Sequence, residues 1–406
     1  MKKIAAILLT LCLTALPLLA WDVMVFPSLG VNIHDQMQFV LPRRGIYVPQ
    51  LEKVERGQPF YLYFAAGLKE PLTQPLKLNC EVVMISPAGK RTTMAKGTFF
   101  QLQKNSRGVF TSGHLVKVIM ENSDPDGVYA VEFNVSDGVE NKTATGKVTL
   151  TGKQRHDSPV TMPELSKFLS SYYTAPKPER LLAMCKYFIH VAEPELQRKQ
   201  KNRYDPRPAL YGFTLALQHN PQLWQELAQI TAEAKTEKQQ QFYALIFAGL
   251  GAEAVKANKE IIAPQVQANI ALFAGRNPLE FKQVTQLWQL DALWMEFLVT
   301  GRFSPVQRLI NECRRRPMMT VDEVKAKTAK KEPLSAEEKE KFRNFLFAAA
   351  IEWSLASNLR QGHRLLWFYL ETIRERKLYP DDFAAALIAD AVKKAQVKKA
   401  TPGSKK

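Results

Sequence analysis

The chain has 406 residues, 46% of them apolar and 23% charged, with a formal net charge of +17, a length that provides for two or three domains with self-sufficient cores. Beyond residue 20 no run of eighteen apolar residues occurs, which excludes a spanning helix from the rest of the chain. Cys80, Cys185 and Cys313, widely spaced among apolar neighbours, read as small buried hydrophobes rather than a disulfide framework, with one long-range bridge left open.

The first twenty residues, MKKIAAILLTLCLTALPLLA, place two lysines before an almost wholly apolar run and end on Ala20. This is the pattern of a secretory signal peptide cleaved after Ala20, and it predicts a periplasmic or secreted protein. Lipid attachment would use Cys12, but Leu11 stands where a small residue is needed.

From Trp21 to about Leu150 the apolar period is two. In LKLNCEVVMI one face carries Leu76, Leu78, Cys80, Val82 and Met84, and SPAGK supplies the turn that follows. PFYLYFA, TFFQLQ, HLVKVIM, VYAVEFNVS and KTATGKVTL read as further strands, and short strands without helical pattern between them predict a β-sandwich. In DPDGVYAVEFNVSDGVENKTATGKVTL, Tyr129, Val131, Phe133 and Val135 form an inward face and Asp137-Gly138 starts a return hairpin. That segment resembles the last two strands of immunoglobulin-like modules of exported bacterial proteins. The resemblance implies an immunoglobulin-like β-sandwich over 21–152 and a corner tyrosine, Tyr129, whose hydroxyl bonds back to nearby backbone. Between Gly30 and Gly57, His34, Arg43 and Arg44 read as parts of an exposed loop.

TGKQRHDSPV marks a linker over 153–160, after which the period becomes 3.6. Thr161 with Glu164 forms a capping box. The same start recurs at Thr236, Asn277, Ser304 and Ser335, and Asn220-Pro221 is a cap followed by proline at the first helical position. These signals predict an all-α domain of irregular helical hairpins over 161–396, without a fixed repeat. DEVKAKTAKKEPLSAEEKEK reads as a solvated linker or projecting turn, and 397–406 as a basic, disordered tail.

Charge is uneven. Residues 21–150 hold fourteen basic and twelve acidic residues, so after the leader about +13 falls on the helical half. Arg314, Arg315 and Arg316 at the end of the helix begun at Ser304, and Lys393, Lys394, Lys398 and Lys399 near the C-terminus, are the candidate contacts to an anionic surface. Their simpler roles are helix capping and solubility.

Chemistry-bearing motifs are sparse. There is no H-E-x-x-H, C-x-x-C, calcium loop, phosphate loop or G-x-S-x-G, so no metal or cofactor is predicted. Cys185 and His190 lie five residues apart, about 140° around an α-helix, and should not meet. Export and aromatics confined to apolar stripes argue against a nucleic-acid partner. What remains is carboxylates within apolar helices: Asp291 on the stripe Leu287, Asp291, Trp294, Leu298, and Glu352 on the stripe Phe345, Ala348, Glu352, Leu355. Glu296 falls off the first stripe and should be exposed. The prediction is an exported, non-enzymatic binding or envelope-associated protein with an unidentified protein or an envelope polymer as partner. The alternative is a glycan or cell-wall hydrolase in which Asp291 and Glu352 form the acid/base pair.

Overall fold

The computed structural model describes residues 21–41, 44–46, 48, 51–152, 158–201, 204–273, 275–314, 317–379 and 383–397. It has a β-sheet region over about 21–151 followed by an α-helical region from 162 onward. The leader-like segment and the last nine residues lie outside the described residues.

The β region contains β1 (Trp21–Ser28), β2 (Lys53–Glu55), β3 (Pro59–Leu68), β4 (Leu76–Ile85), β5 (Arg91–Leu102), β6 (Gly108–Thr111), β7 (Val116–Ile119), β8 (Gly127–Ser136) and β9 (Asn141–Thr151). One sheet runs β1-β3-β6, with β7 also on β3. The other runs β2-β9-β8-β4-β5, antiparallel except for β2 beside β9. The two-residue period explains the core: Leu78, Cys80 and Val82 of β4 and Tyr129, Val131, Phe133 and Val135 of β8 are buried, and they meet Phe60, Leu62 and Phe64 of β3 in a single apolar cluster. The Tyr129 hydroxyl donates to the Pro125 carbonyl at 3.0 Å, the backbone bond expected of a corner tyrosine. Asp137 closes the β8–β9 hairpin by accepting from the Val139 and Glu140 N–H groups at 2.8 and 2.7 Å.

The segment after β1 leaves His34 and Arg44 exposed, as the sequence reading has it, but it is not all loop. It forms α1 (Ile33–Phe39) and packs on the helical region: Phe39 stacks on Phe303 at 4.1 Å, and Asp35 accepts from the Phe303 N–H at 2.7 Å. Arg44 makes a two-pronged ion pair with buried Glu371, at 2.7 and 2.5 Å. Its partners lie more than 260 residues away, so local sequence gives no hint of them. Arg43 lies outside the described residues.

The helical region comprises α2 (Met162–Ser171), α3 (Pro178–Tyr187), α4 (Glu193–Lys199), α5 (Arg207–Gln218), α6 (Trp224–Ile230), α7 (Glu237–Leu250), α8 (Ala252–Ala257), α9 (Pro264–Leu272), α10 (Leu287–Thr300), α11 (Phe303–Cys313), α12 (Val321–Ala329), α13 (Ala336–Arg360), α14 (Arg364–Glu375) and α15 (Phe383–Val397). Full capping boxes open α7 at Thr236 and α13 at Ser335. At α2 only half the box forms, because Glu164 turns to Arg180, at 2.8 and 2.9 Å. Asn277 starts a turn rather than a helix, and α11 begins at Phe303 with Ser304 inside it. The charged stretch read as a linker contains α12, a helix with no buried residue that a Thr320–Glu323 capping box starts. Cys80, Cys185 and Cys313 are buried and form no disulfide among the described residues. Among the described residues no helix is long and apolar enough to cross a membrane.

Candidate functional site

α10 sits at the centre of the helical region, with eleven of its fourteen residues buried. It packs against α5, where Gly212 lies under Met295: a Cβ there would come within 2.7 Å of the Met295 methyl, so glycine permits the close helix approach. The helix starts on a Gln286–Gln289 capping box and stops at Gly301, whose φ is +65°.

Such a helix has no clean amphipathic stripe, and the two acids of α10 exchange the places read from the sequence. Asp291 is exposed, next along the solvent line from Leu287, itself 55% exposed. Desolvation by the surrounding protein still pushes the Asp291 carboxyl up from the usual range, and the negative charge of Asp205 adds to this. Glu296 is the half-buried one and accepts from the Tyr211 hydroxyl at 3.2 Å. Burial raises its carboxyl, against the opposing pull of Arg308, the Tyr211 bond and Arg302.

Around these acids the start of α5, the 275–286 turn and α11 assemble a cluster of aromatics and arginines. The Arg207 guanidinium lies 4.4 Å from the Trp288 ring centre and pairs with Asp205 at 2.6 Å. Trp288 meets Phe281 edge-on at 5.7 Å, and Phe281 faces Tyr211 at 6.1 Å. Arg308 lies 5.0 Å from the Phe281 ring centre and donates to the Phe281 carbonyl at 3.1 Å. Cation–π contact and the bond to a backbone carbonyl together hold the non-helical turn against three helices. Tyr211, Arg207 and Arg308 escape sequence reading because their partners come from separate elements. The four-residue spacing of Arg207 and Tyr211, which puts both on one face of α5, was the available signal.

Glu352 is half-buried on α13. α10 and α13 touch where the Trp294 indole N–H donates to the Ser354 hydroxyl at 2.8 Å, but the carboxylate whose charge acts on Asp291 is Asp205. Arg314 follows the last turn of α11, and its guanidinium lies 5.0 Å from the Tyr379 ring centre. Lys393 is exposed on α15. Arg315, Arg316, Lys398, Lys399 and the Lys394 side chain lie outside the described residues.

A π-turn over Phe188–Ala192 follows α3 and alters the 100° step assumed for Cys185 and His190. His190 Nε2 lies 3.0 Å from the Tyr243 hydroxyl. Burial pushes the Cys185 thiol up to about 12, which keeps it protonated and un-nucleophilic at neutral pH. Among the described residues, no three His, Cys, Asp or Glu side chains are placed to hold a metal.

A second polar cluster lines the joint between the two regions. Tyr61 of the β region faces Tyr172, His219 and Thr300 across a cavity of about 30 Å³, room for a water or two. Burial, with the charges of Arg302 and Lys117, drives the His219 imidazole down to about 4.

No protein-family model and no curated protein sequence matches the chain. Among solved structures, an immunoglobulin-like protein from Pseudomonas aeruginosa aligns with 32% of this chain and 97% of its own, at 10% identity and a TM-score of 0.19. A family 123 glycoside hydrolase from Clostridium perfringens aligns with 44% of this chain and 36% of its own, at 10% identity and a TM-score of 0.22. E. coli alpha-2-macroglobulin in its native conformation aligns with 86% of this chain and 24% of its own, at 10% identity and a TM-score of 0.20. The chain thus spans about a third of the hydrolase and about a quarter of the macroglobulin. Likeness at this level carries no function from any of them.

Proposed function

We propose that this is an exported, non-enzymatic binding protein of the cell envelope, an immunoglobulin-like β-sandwich joined to an α-helical domain of irregular hairpins. The leader-like first twenty residues support export. The two-sheet core with its Tyr129 corner bond supports the immunoglobulin-like reading. The observation that carries the binding function is the charge distribution: about +13 falls on the helical half against +2 on residues 21–150, which suits recruitment to an anionic polymer or surface. In the aromatic cluster both guanidiniums already lie on rings, so its side chains are engaged in holding the fold. The test is retention of the purified protein on envelope material across a salt series. Retention that fades by about 0.3 M salt indicates charge-driven association, and no retention at low salt rejects it.

A second reading, a glycan hydrolase, has one observation in its favour: Asp291 and Glu296 both carry raised carboxyls, the property of a general acid. The two leave α10 five residues apart, about 140° around the helix, which does not set them across one bond. Assay of wild type, Asp291→Asn and Glu352→Gln on peptidoglycan and soluble glycans decides the original pairing; equal activity in all three removes it.

A further inference from the structure

α13 is a helix of twenty-five residues, about 37 Å long, and one long face of it stays open to solvent. At 100° per residue, Lys339, Leu346 and Trp353 repeat every seven positions on one line, with Phe342 and Ala349 beside them. Leu346 is 41% and Trp353 68% exposed. Phe342 stacks on Phe345 with ring centres 6.3 Å apart, and both are half-buried. The other side of the helix supplies the core through Phe347, Ile351 and Leu355, so the open stripe is surplus to packing. A tryptophan this exposed, in line with a leucine, is more than scattered surface apolarity.

Around the N-terminal half of the stripe, residues 320–345 carry seven basic and six acidic residues, and most of the acids are engaged. Glu338 is held by Lys327 at 2.5 Å, Glu337 by Lys341 at 2.6 Å, and Glu340 by Arg343. Glu323 caps Thr320, Asp322 pairs with Lys325 at 3.4 Å, and the charge of Glu332 acts on Lys327. Lys330, Lys331 and Lys339 are exposed, as is Glu332 beside Lys331, and the ion pairs of this segment among the described residues leave these three lysines out. We propose that this face docks on an anionic lipid surface, Trp353 and Leu346 entering the interfacial layer while Lys330, Lys331 and Lys339 meet the headgroup phosphates. Tryptophan suits the boundary because its ring is apolar and its N–H polar. Lysines reach phosphates from beside an apolar stripe by extending their stems. A second copy fits less well. Parallel self-pairing sets Lys339 against Lys339, and the antiparallel arrangement that mates Leu346 with Trp353 sets Lys339 against Arg360. This inference rests on the envelope reading above and names the surface.

The test mixes purified protein with vesicles of phosphatidylcholine alone or with phosphatidylglycerol, and compares wild type with Trp353→Ser, Leu346→Ser and Lys339→Glu. All three side chains are exposed, and circular dichroism checks that the variants stay folded. Wild type should sediment with the anionic vesicles and not the zwitterionic ones. Trp353→Ser should weaken binding about tenfold, and Lys339→Glu fivefold or more. Brominated lipid should quench an emission component that Trp353→Ser lacks. Equal vesicle binding by all four proteins overturns the proposal, as does a wild-type dimer that Trp353→Ser dissociates without any vesicle binding. Retention on envelope material that survives unchanged in Trp353→Ser and Lys339→Glu leaves the envelope reading standing and removes the lipid stripe. Wild type retained by neither vesicles nor envelope material removes both.

Discussion

Replacing Gly301 by alanine tests the joint between the β and helical regions at its tightest point. Gly301 ends α10 in the left-handed conformation, its N–H donating to the Phe297 carbonyl at 2.7 Å and its own carbonyl accepting from the Tyr369 hydroxyl at 2.9 Å. An added Cβ would overlap the Asn32 side-chain amide and come within 2.8 Å of the Tyr173 ring. Asn32 and Tyr173 are themselves buried, so neither can swing into water. The positive φ costs about 1 kcal/mol with any Cβ, and overpacking a closed site adds about 1–3 kcal/mol, for a total of about 2–4 kcal/mol. Gly362 provides the control: its φ is +86° and a Cβ there would have nothing within 4 Å, so Gly362→Ala should lose only the backbone part, about 1 kcal/mol. Denaturant titration of both variants measures the difference as a shift in midpoint at constant slope. A Gly301→Ala loss no larger than that of Gly362→Ala would refute the close packing of Asn32 and Tyr173 on the end of α10.

The His219 imidazole is held near 4 in the folded protein against an ordinary 6.5. A depressed folded value means that protonation favours the unfolded chain: the stability is present above about 6.5 and is lost as pH falls toward 4, by at most about 3 kcal/mol before solvent screening. His219→Gln should therefore show a flatter decline in denaturation midpoint over that window, and parallel curves for variant and wild type would contradict this. Glu296 has the opposite sign, its raised carboxyl favouring the neutral form, so ionisation as pH rises costs stability. Glu296→Gln keeps an acceptor for Tyr211 and should gain on wild type as pH goes from acid to neutral; a growing loss over the same range would show that attraction to Arg308 wins over burial. Tyr129→Phe removes the bond to Pro125 and should cost about 1 kcal/mol; no loss would make the corner bond incidental.

The parts of the fold that could be read from the residues are those in which one face is buried and the other wet. β4 and β8 alternate cleanly, so their inward residues follow from the period of two. α10 buries residues nearly all round, and its hydrophobic pattern therefore has no direction: the rule that locates a polar face has nothing to work on, and the stripe it picks puts Asp291 inside and Glu296 outside, the reverse of the fold. α12 fails in the other sense, since it buries nothing and is held by a local Thr320–Glu323 cap that an apolar pattern cannot reveal. α1 depends on Phe303 and on the end of α10, and the nearness of His190 to Tyr243 depends on a π-turn. Each needs a distant contact or a break in helical step that no single segment encodes. The candidate site was half visible for the same reason: its carboxylates stood out against apolar neighbours, while the arginines and aromatics that surround them come together only in the fold.

The central claim is that positive charge on the helical half carries an association with the envelope. Co-sedimentation of the purified protein with envelope material, repeated as salt is raised, tests it most directly. Binding at low salt that falls away by about 0.3 M, and that weakens when Lys330, Lys331 and Lys339 are reversed to glutamate, is the predicted result. Binding that ignores both salt and charge reversal, or no binding at any salt, would contradict it.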